Sequence, residues 1–256
     1  MSGNLQNKRI LITRAEHQAE EFADQIKQHG GKPYIVPLLK ISCHIDRNHL
    51  EMLEDTKQYE WIFFTSANGV HCFFQIWRSK FGLRDLSHYK FAVVGRKTNK
   101  VLQQYGYEAT FIPSIYNAET MATEFLKEIK PNRPILLVRG KQARQVLPEA
   151  FAKRDIDFDC LVVYETTVND DRKDSLNRGL HYRHIDYITF TSPSAVEAFF
   201  SLLEDVKDVD GKEIVCIGTT TAKKAAEKGL NHIIVPEQFT IEGMITAISD
   251  HIAKKG

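Results

Sequence analysis

The feature that most constrains this chain is an internal duplication. Trp61-Ile62-Phe63-Phe64 followed by Thr65-Ser66-Ala67-Asn68-Gly69-Val70 returns 126 residues downstream as Tyr187-Ile188-Thr189-Phe190 and Thr191-Ser192-Pro193-Ser194-Ala195-Val196. Arg9-Ile10-Leu11-Ile12-Thr13-Arg14 realigns with Pro134-Ile135-Leu136-Leu137-Val138-Arg139 at a separation of 125. Phe91-Ala92-Val93-Val94-Gly95 matches Ile214-Val215-Cys216-Ile217-Gly218 at 123, and Gly106 with Gly229, Pro113 with Pro236 and Met121 with Met244 keep that spacing. Near-constant separations over most of 256 residues mark two copies of one large unit, not a short-period solenoid.

Within each copy the reading is strand, turn, helix. Apolar runs of four bounded by polar turn residues suit buried parallel strands. Ala19, Phe22, Ala23 and Ile26 recur at helical spacing, as do Met121, Ala122, Phe125, Leu126 and Ile129. Gly30-Gly31 and Gly106 close helices. Residues 44–57 predict a short helix, and Ala109-Thr110-Phe111-Ile112-Pro113 a short strand. Pro37, between Val36 and Leu38, argues against a central hydrogen-bonded strand there. Leu161-Val162-Val163-Tyr164 echoes Val36-Pro37-Leu38-Leu39. Strands alternating with helices predict an α/β fold with parallel, doubly wound sheets. The pattern leaves two connectivities open: two consecutive domains, or two discontinuous ones if the segments around Leu38 and Val163 cross between lobes.

Composition removes several functions. Lys+Arg number 34 against 33 Asp+Glu, a net charge of +1, and no predicted helix carries a basic stripe, so nucleic acid is not the expected partner. No stretch is long enough to span a bilayer, and residues 1–8 hold no apolar signal core, which predicts a cytosolic protein. Cys43, Cys72, Cys160 and Cys216 form no Cys-x-x-Cys pair and lie in or beside apolar runs, which predicts reduced, buried thiols. Arg14-Ala15-Glu16 stands where a dinucleotide fingerprint would place glycines, and a phosphate-binding P-loop is absent. So are a His-Glu-x-x-His motif, metal-spaced Cys/His clusters and a Gly-x-Ser-x-Gly elbow. The ten histidines fall mostly in polar stretches and single out no base.

What remains is hydroxyls and amides at the carboxyl ends of strands, where open parallel sheets bind ligands. The candidates are Thr65, Ser66 and Asn68; Thr191, Ser192 and Ser194; and Gly218, Thr219, Thr220 and Thr221. Ser66 or Asn68, and Ser192 or Ser194, can cap the helices that follow, and capping alone would account for any one of them. Both turns together with Gly218-Thr219-Thr220-Thr221 point to ligand binding, since a helix N-terminus offers free N–H groups and partial positive charge to an anion. Arg14 and Arg139 hold matching positions after the first strand of each half. Tyr164 is a phenol ending an apolar strand, with Leu39 at its echo position.

These motifs together, with Val163-Tyr164-Glu165-Thr166, resemble the uroporphyrinogen-III synthase family over residues 9 to about 248. Where that family usually has Gly-Pro-x-Thr-Ala, this chain has Gly218-Thr219-Thr220-Thr221-Ala222. The resemblance implies two Rossmann-like lobes joined by a two-stranded linker. Residues 1–35 with 169–256 would form one lobe, 45–158 the other, and 36–44 with 159–168 the linker. It also implies a monomeric lyase that needs no cofactor or metal. The substrate would be hydroxymethylbilane, a linear tetrapyrrole with an acetate and a propionate on each ring. Uroporphyrinogen III would form with ring D inverted and water lost. Product would touch both Thr-Ser turns, and Tyr164 would match the tyrosine proposed to assist hydroxyl departure. A non-catalytic two-lobe module binding an anionic small molecule is the other expectation.

Overall fold

The structure is a computed structural model that describes residues 4–54 and 59–255. In chain order it runs β1 (Arg9–Ile12), α1 (Glu16–Gln28), β2 (Lys32–Ile35), β3 (Leu39–Cys43), α2 (Arg47–Glu54), β4 (Trp61–Phe64), α3 (Ala67–Phe81), β5 (Lys90–Val93), α4 (Arg96–Gln104) and α5 (Ala118–Glu128). It continues β6 (Ile135–Gly140), α6 (Val146–Ala152), β7 (Phe158–Val168), α7 (Lys173–Tyr182), β8 (Tyr187–Phe190), α8 (Pro193–Leu202), β9 (Glu213–Cys216), α9 (Thr219–Glu227), β10 (Ile233–Ile234) and α10 (Ile241–Lys255).

The chain divides into two compact units. Residues 1–40 and 167–256 form one, and residues 41–166 form the other. The sheet of the first has the order β10-β9-β8-β1-β2, and that of the second β3-β7-β6-β4-β5. The repeat is visible in both. β1, the opening strand, pairs in parallel with β8, and its counterpart β6 pairs in parallel with β4. Each copy's first strand therefore belongs to the sheet built by the other copy.

Burial explains why the strands read as continuous apolar runs. In β4, Ile62 and Phe64 pack into the cluster holding Phe73, Trp77 and Phe91, while Trp61 and Phe63 pack into the one holding Phe125 and Phe151. In β8, Ile188 and Phe190 face one layer and Tyr187 the other. A strand buried on both faces has no polar alternation to show.

Proline decides the two edges. β2 carries Pro33 and is an edge strand, where a missing N–H breaks no ladder. Pro37 then separates β2 from β3, whereas β7 runs eleven residues without interruption. The first part of β7 pairs in parallel with β6. Backbone bonds from Asn169 N–H to Leu38 O (2.9 Å) and from His44 N–H to Val163 O (3.1 Å) run antiparallel along β3 and β7.

Two expectations are corrected. Residues 109–113 form no strand: Phe111 makes a single bridge to Ala92, because Pro113 and the turn that follows leave no length for a ladder. The cysteines are not all reduced. Cys43, at the end of β3, and Cys72, on α3, form a disulfide with their Cα atoms 5.1 Å apart. Strand and helix meet only in the folded unit, so sequence spacing could not show the pair. Cys160 and Cys216 are free, and burial pushes the Cys216 thiol up to about 12. The bridge closes a loop of sequence separation 29. Reduction should cost about 2–4 kcal/mol of stability. Reductant should lower the melting temperature of the native chain but not of the Cys43→Ser/Cys72→Ser variant. A native chain indifferent to reductant would contradict the bridge.

Candidate functional site

The turns after β4 and β8 form as their residues dictate. Ser66 is extended (φ −160°) and its Oγ accepts the Gly69 N–H at 3.0 Å, so it, and not Asn68, caps α3. Ser192 (φ −161°) accepts from Ala195 N–H at 3.2 Å and caps α8, with Pro193 in the first turn. Ser192 Oγ also lies 3.0 Å from Ser194 Oγ. Gly218 stands at the N-terminus of α9; Thr219 and Thr220 are exposed there, while Thr221 is buried beneath them. Thr191 and Arg14 are half-buried at the strand ends of the same unit. Burial holds the Arg14 guanidinium below its usual range, with Glu21 opposing the shift.

In the second unit the candidates converge on one cavity of about 440 Å³. Thr65, Ser66, Arg139 and Tyr164 line it, together with Tyr116 and Gln142, which the sequence reading did not single out. Asn68 is half-buried in the first turn of α3. The cavity lies at the carboxyl ends of β4 and β6, where parallel sheets place their ligands.

Tyr164 is held on two sides. Its hydroxyl is 3.0 Å from Ser66 Oγ. Its ring lies over Gly140, where a Cβ would stand 2.5 Å from Cζ and 2.9 Å from the phenol oxygen. Only glycine permits that approach. The β6–β7 register shifts at this point: Arg139 faces Val162, but Gly140 faces Tyr164. Such an irregularity re-aims a side chain, and here the side chain is the phenol.

Arg139 is 5% exposed and its guanidinium is engaged within the chain. It donates to Gln145 Oε1 at 3.1 Å, to Ala143 O and to Arg144 O at 3.4 Å. It orders the loop after β6, one wall of the cavity. Gln142 on that loop donates to Thr166 O at 3.2 Å and accepts from Thr166 N–H at 3.3 Å. Among the described residues no three His, Cys, Asp or Glu side chains gather as a metal group, and no helix is long and apolar enough to cross a membrane.

A family model for uroporphyrinogen-III synthase HemD matches residues 20–246. The chain belongs to the uroporphyrinogen-III synthase family. It is 31% identical over 245 residues to a putative uroporphyrinogen-III synthase of Methanocaldococcus jannaschii, covering 94% of this chain and 97% of that protein. It is 29% identical over 241 residues to the porphyrin biosynthesis protein HemD of Ruminiclostridium josui, covering 93% of this chain but 47% of that longer protein. The fold is similar to that of uroporphyrinogen-III synthetase from Helicobacter pylori 26695, with a TM-score of 0.65 and 17% identity over 97% of this chain and 99% of the other. Uroporphyrinogen-III synthases are enzymes of tetrapyrrole biosynthesis, and this family membership fits a site made of hydroxyls and helix N-termini.

Proposed function

We propose that the chain is a lyase that cyclises hydroxymethylbilane to uroporphyrinogen III, inverting ring D and releasing water, as a cytosolic monomer without cofactor. The observation that carries this is the phenol of Tyr164, held by Ser66 and seated on Gly140 at the cavity wall.

Either oxygen can be the donor in the Ser66–Tyr164 hydrogen bond, and the proposed reaction uses the arrangement in which Ser66 donates. Ser66 Oγ already accepts from Gly69 N–H. Donating its own proton to the phenol oxygen leaves the Tyr164 O–H directed to substrate. That proton passes to the departing hydroxyl, which leaves as water with the electron pair of the broken C–O bond. The electron-rich pyrrole nitrogen supplies the compensating pair. The proton released when the closed ring regains aromaticity returns to the phenolate. Substrate carboxylates take hydroxyls and helix-terminal N–H groups at Thr65, Asn68, Thr191, Ser192 and Ser194, and the backbone N–H of Ser66, whose hydroxyl is committed to Tyr164. Gly218, Thr219, Thr220 and Thr221 serve in the same way at α9, and Arg14 adds positive charge. Arg139 contributes by ordering the loop from Gln142 to Arg144. Because the substrate also closes unaided to the wrong isomer, the protein's main task is to hold one folded conformer.

Chromatographic analysis of the porphyrin isomers formed from hydroxymethylbilane tests this. Isomer III should predominate. Isomer I alone, at the rate seen without protein, would leave only a binding module. Ser192→Ala or Thr220→Ala should raise KM by roughly 2- to 12-fold, the net worth of one hydrogen bond, with turnover less affected.

A further inference from the structure

Tyr116 and Phe239 are large aromatic residues left 52% and 57% exposed. A scattered exposed aromatic needs no explanation. These two are not scattered, because they occupy the same position in the two copies, 123 residues apart. Each leans on a glycine that follows a parallel strand, β5 at the edge of its sheet or β9 inside its own, and opens a helix. A Cβ on Gly95, before α4, would meet Tyr116 Cβ and Cγ at 2.9 Å, and one on Gly218, before α9, would meet the Phe239 ring at 3.3 Å. Both glycines have extended backbones, with φ of 174° and −167°, so close approach and not φ is what calls for glycine.

The local backbone repeats as well. Asn117 N–H donates to Ile115 O and Thr240 N–H to Gln238 O, both at 2.8 Å. Each aromatic residue is thus the centre of a three-residue turn. The next residue caps a helix: Asn117 Oδ1 accepts from Thr120 N–H at 2.7 Å, and Thr240 Oγ1 from Gly243 N–H at 3.0 Å. Turn, glycine seat and cap hold each ring at the carboxyl end of its sheet. Tyr116 lines the same cavity as Thr65, Ser66 and Tyr164.

We propose that Tyr116 is a substrate-contacting residue whose ring packs against a pyrrole of the linear tetrapyrrole, and that Phe239 repeats this beside Gly218 and Thr219. This rests on the reaction proposed above and deepens it. The donors of the site answer the carboxylates, whereas a pyrrole is a flat, electron-rich face that packs best on another ring. A ring on a rigid seat also fixes where the pyrrole lies, which a flexible apolar side chain would not do.

The test is steady-state kinetics with isomer analysis on Tyr116→Ala, Tyr116→Leu, Tyr116→Phe and Phe239→Ala, with melting temperatures measured alongside. Tyr116→Ala and Phe239→Ala should each raise KM about 3- to 10-fold with little change in kcat. Tyr116→Leu should remain impaired, and Tyr116→Phe should restore most of the affinity lost in Tyr116→Ala. Gly95→Ala, which displaces the Tyr116 turn, should show the same KM defect. Tight binding of uroporphyrin III, read by fluorescence, should weaken in parallel. If the native chain makes isomer III while Tyr116→Ala and Phe239→Ala keep native KM, the rings are surface packing and this inference fails alone. A fall in kcat and melting temperature together, with KM unchanged, also overturns it. If the native chain makes no isomer III, the proposed reaction and this inference fall together.

Discussion

Tyr164→Phe is expected to lower turnover about 100-fold while KM changes little, because the ring stays packed over Gly140 and only the proton donor is lost. Positioned acid catalysis is typically worth roughly 10²–10⁴-fold. The lower end applies here, since an electron-rich pyrrole already expels hydroxide readily. Gly140→Ala reaches the same group from the other side. Its Cβ would overlap the phenol ring, at 2.5 Å from Cζ, so the ring must swing away from Ser66. A folded Gly140→Ala protein should therefore lose turnover to a similar degree with the phenol still present. Steady-state kinetics with isomer analysis reads both variants. Native turnover in Tyr164→Phe, with isomer III as sole product, would make Tyr164 a packing residue and catalysis purely conformational.

Phe125→Ala should produce the largest loss of stability. Phe125, on α5, is fully buried, and its ring meets Trp61 at 5.0 Å, Phe63 at 4.7 Å and Phe111 at 5.3 Å between centroids, each edge to face. Removing a buried phenylalanine costs about 3–5 kcal/mol from lost transfer energy and the cavity left behind. In a chain of this size that lowers the melting temperature by roughly 10 °C or more. The effect bears on the site, because Trp61 and Phe63 belong to the strand that delivers Thr65, and α5 begins beside Tyr116. Calorimetry decides it, with Phe125→Leu as a milder companion expected to cost less than half as much. A loss under about 1 kcal/mol in Phe125→Ala would mean the cluster closes over the gap, contrary to a rigid aromatic core.

Local chemistry was legible in the sequence because it depends on neighbours in the chain. Runs of four apolar residues gave β4 and β8, and the hydroxyl-rich turns gave capped helix starts, with Ser66 or Asn68 and Ser192 or Ser194 as alternatives that the fold resolved to Ser66 and Ser192. The duplication was legible too, since it is a comparison of the chain with itself. It could have exposed Tyr116 and Phe239, but an aromatic residue beside a glycine many positions away has no local signature. Tyr164 was marked in the sequence only by its place at the end of an apolar strand, with Leu39 at the echo position.

The sequence by itself determined two copies of an α/β unit, their buried parallel strands, the capped turns at the strand ends and the family to which they belong. Tertiary structure alone decided which strand lies beside which. β1 joins β8 across a long stretch of chain, and backbone hydrogen bonds between strands carry no side-chain code that names a partner. The fold likewise decided that Cys43 reaches Cys72, that Arg139 turns inward to hold a loop, and that Tyr164 settles on Gly140 within reach of Ser66. Each is a contact between elements whose spacing in sequence is unrelated to their distance in space. Such contacts are set by the packing of layers and the register of a sheet, which come into being only when the chain folds.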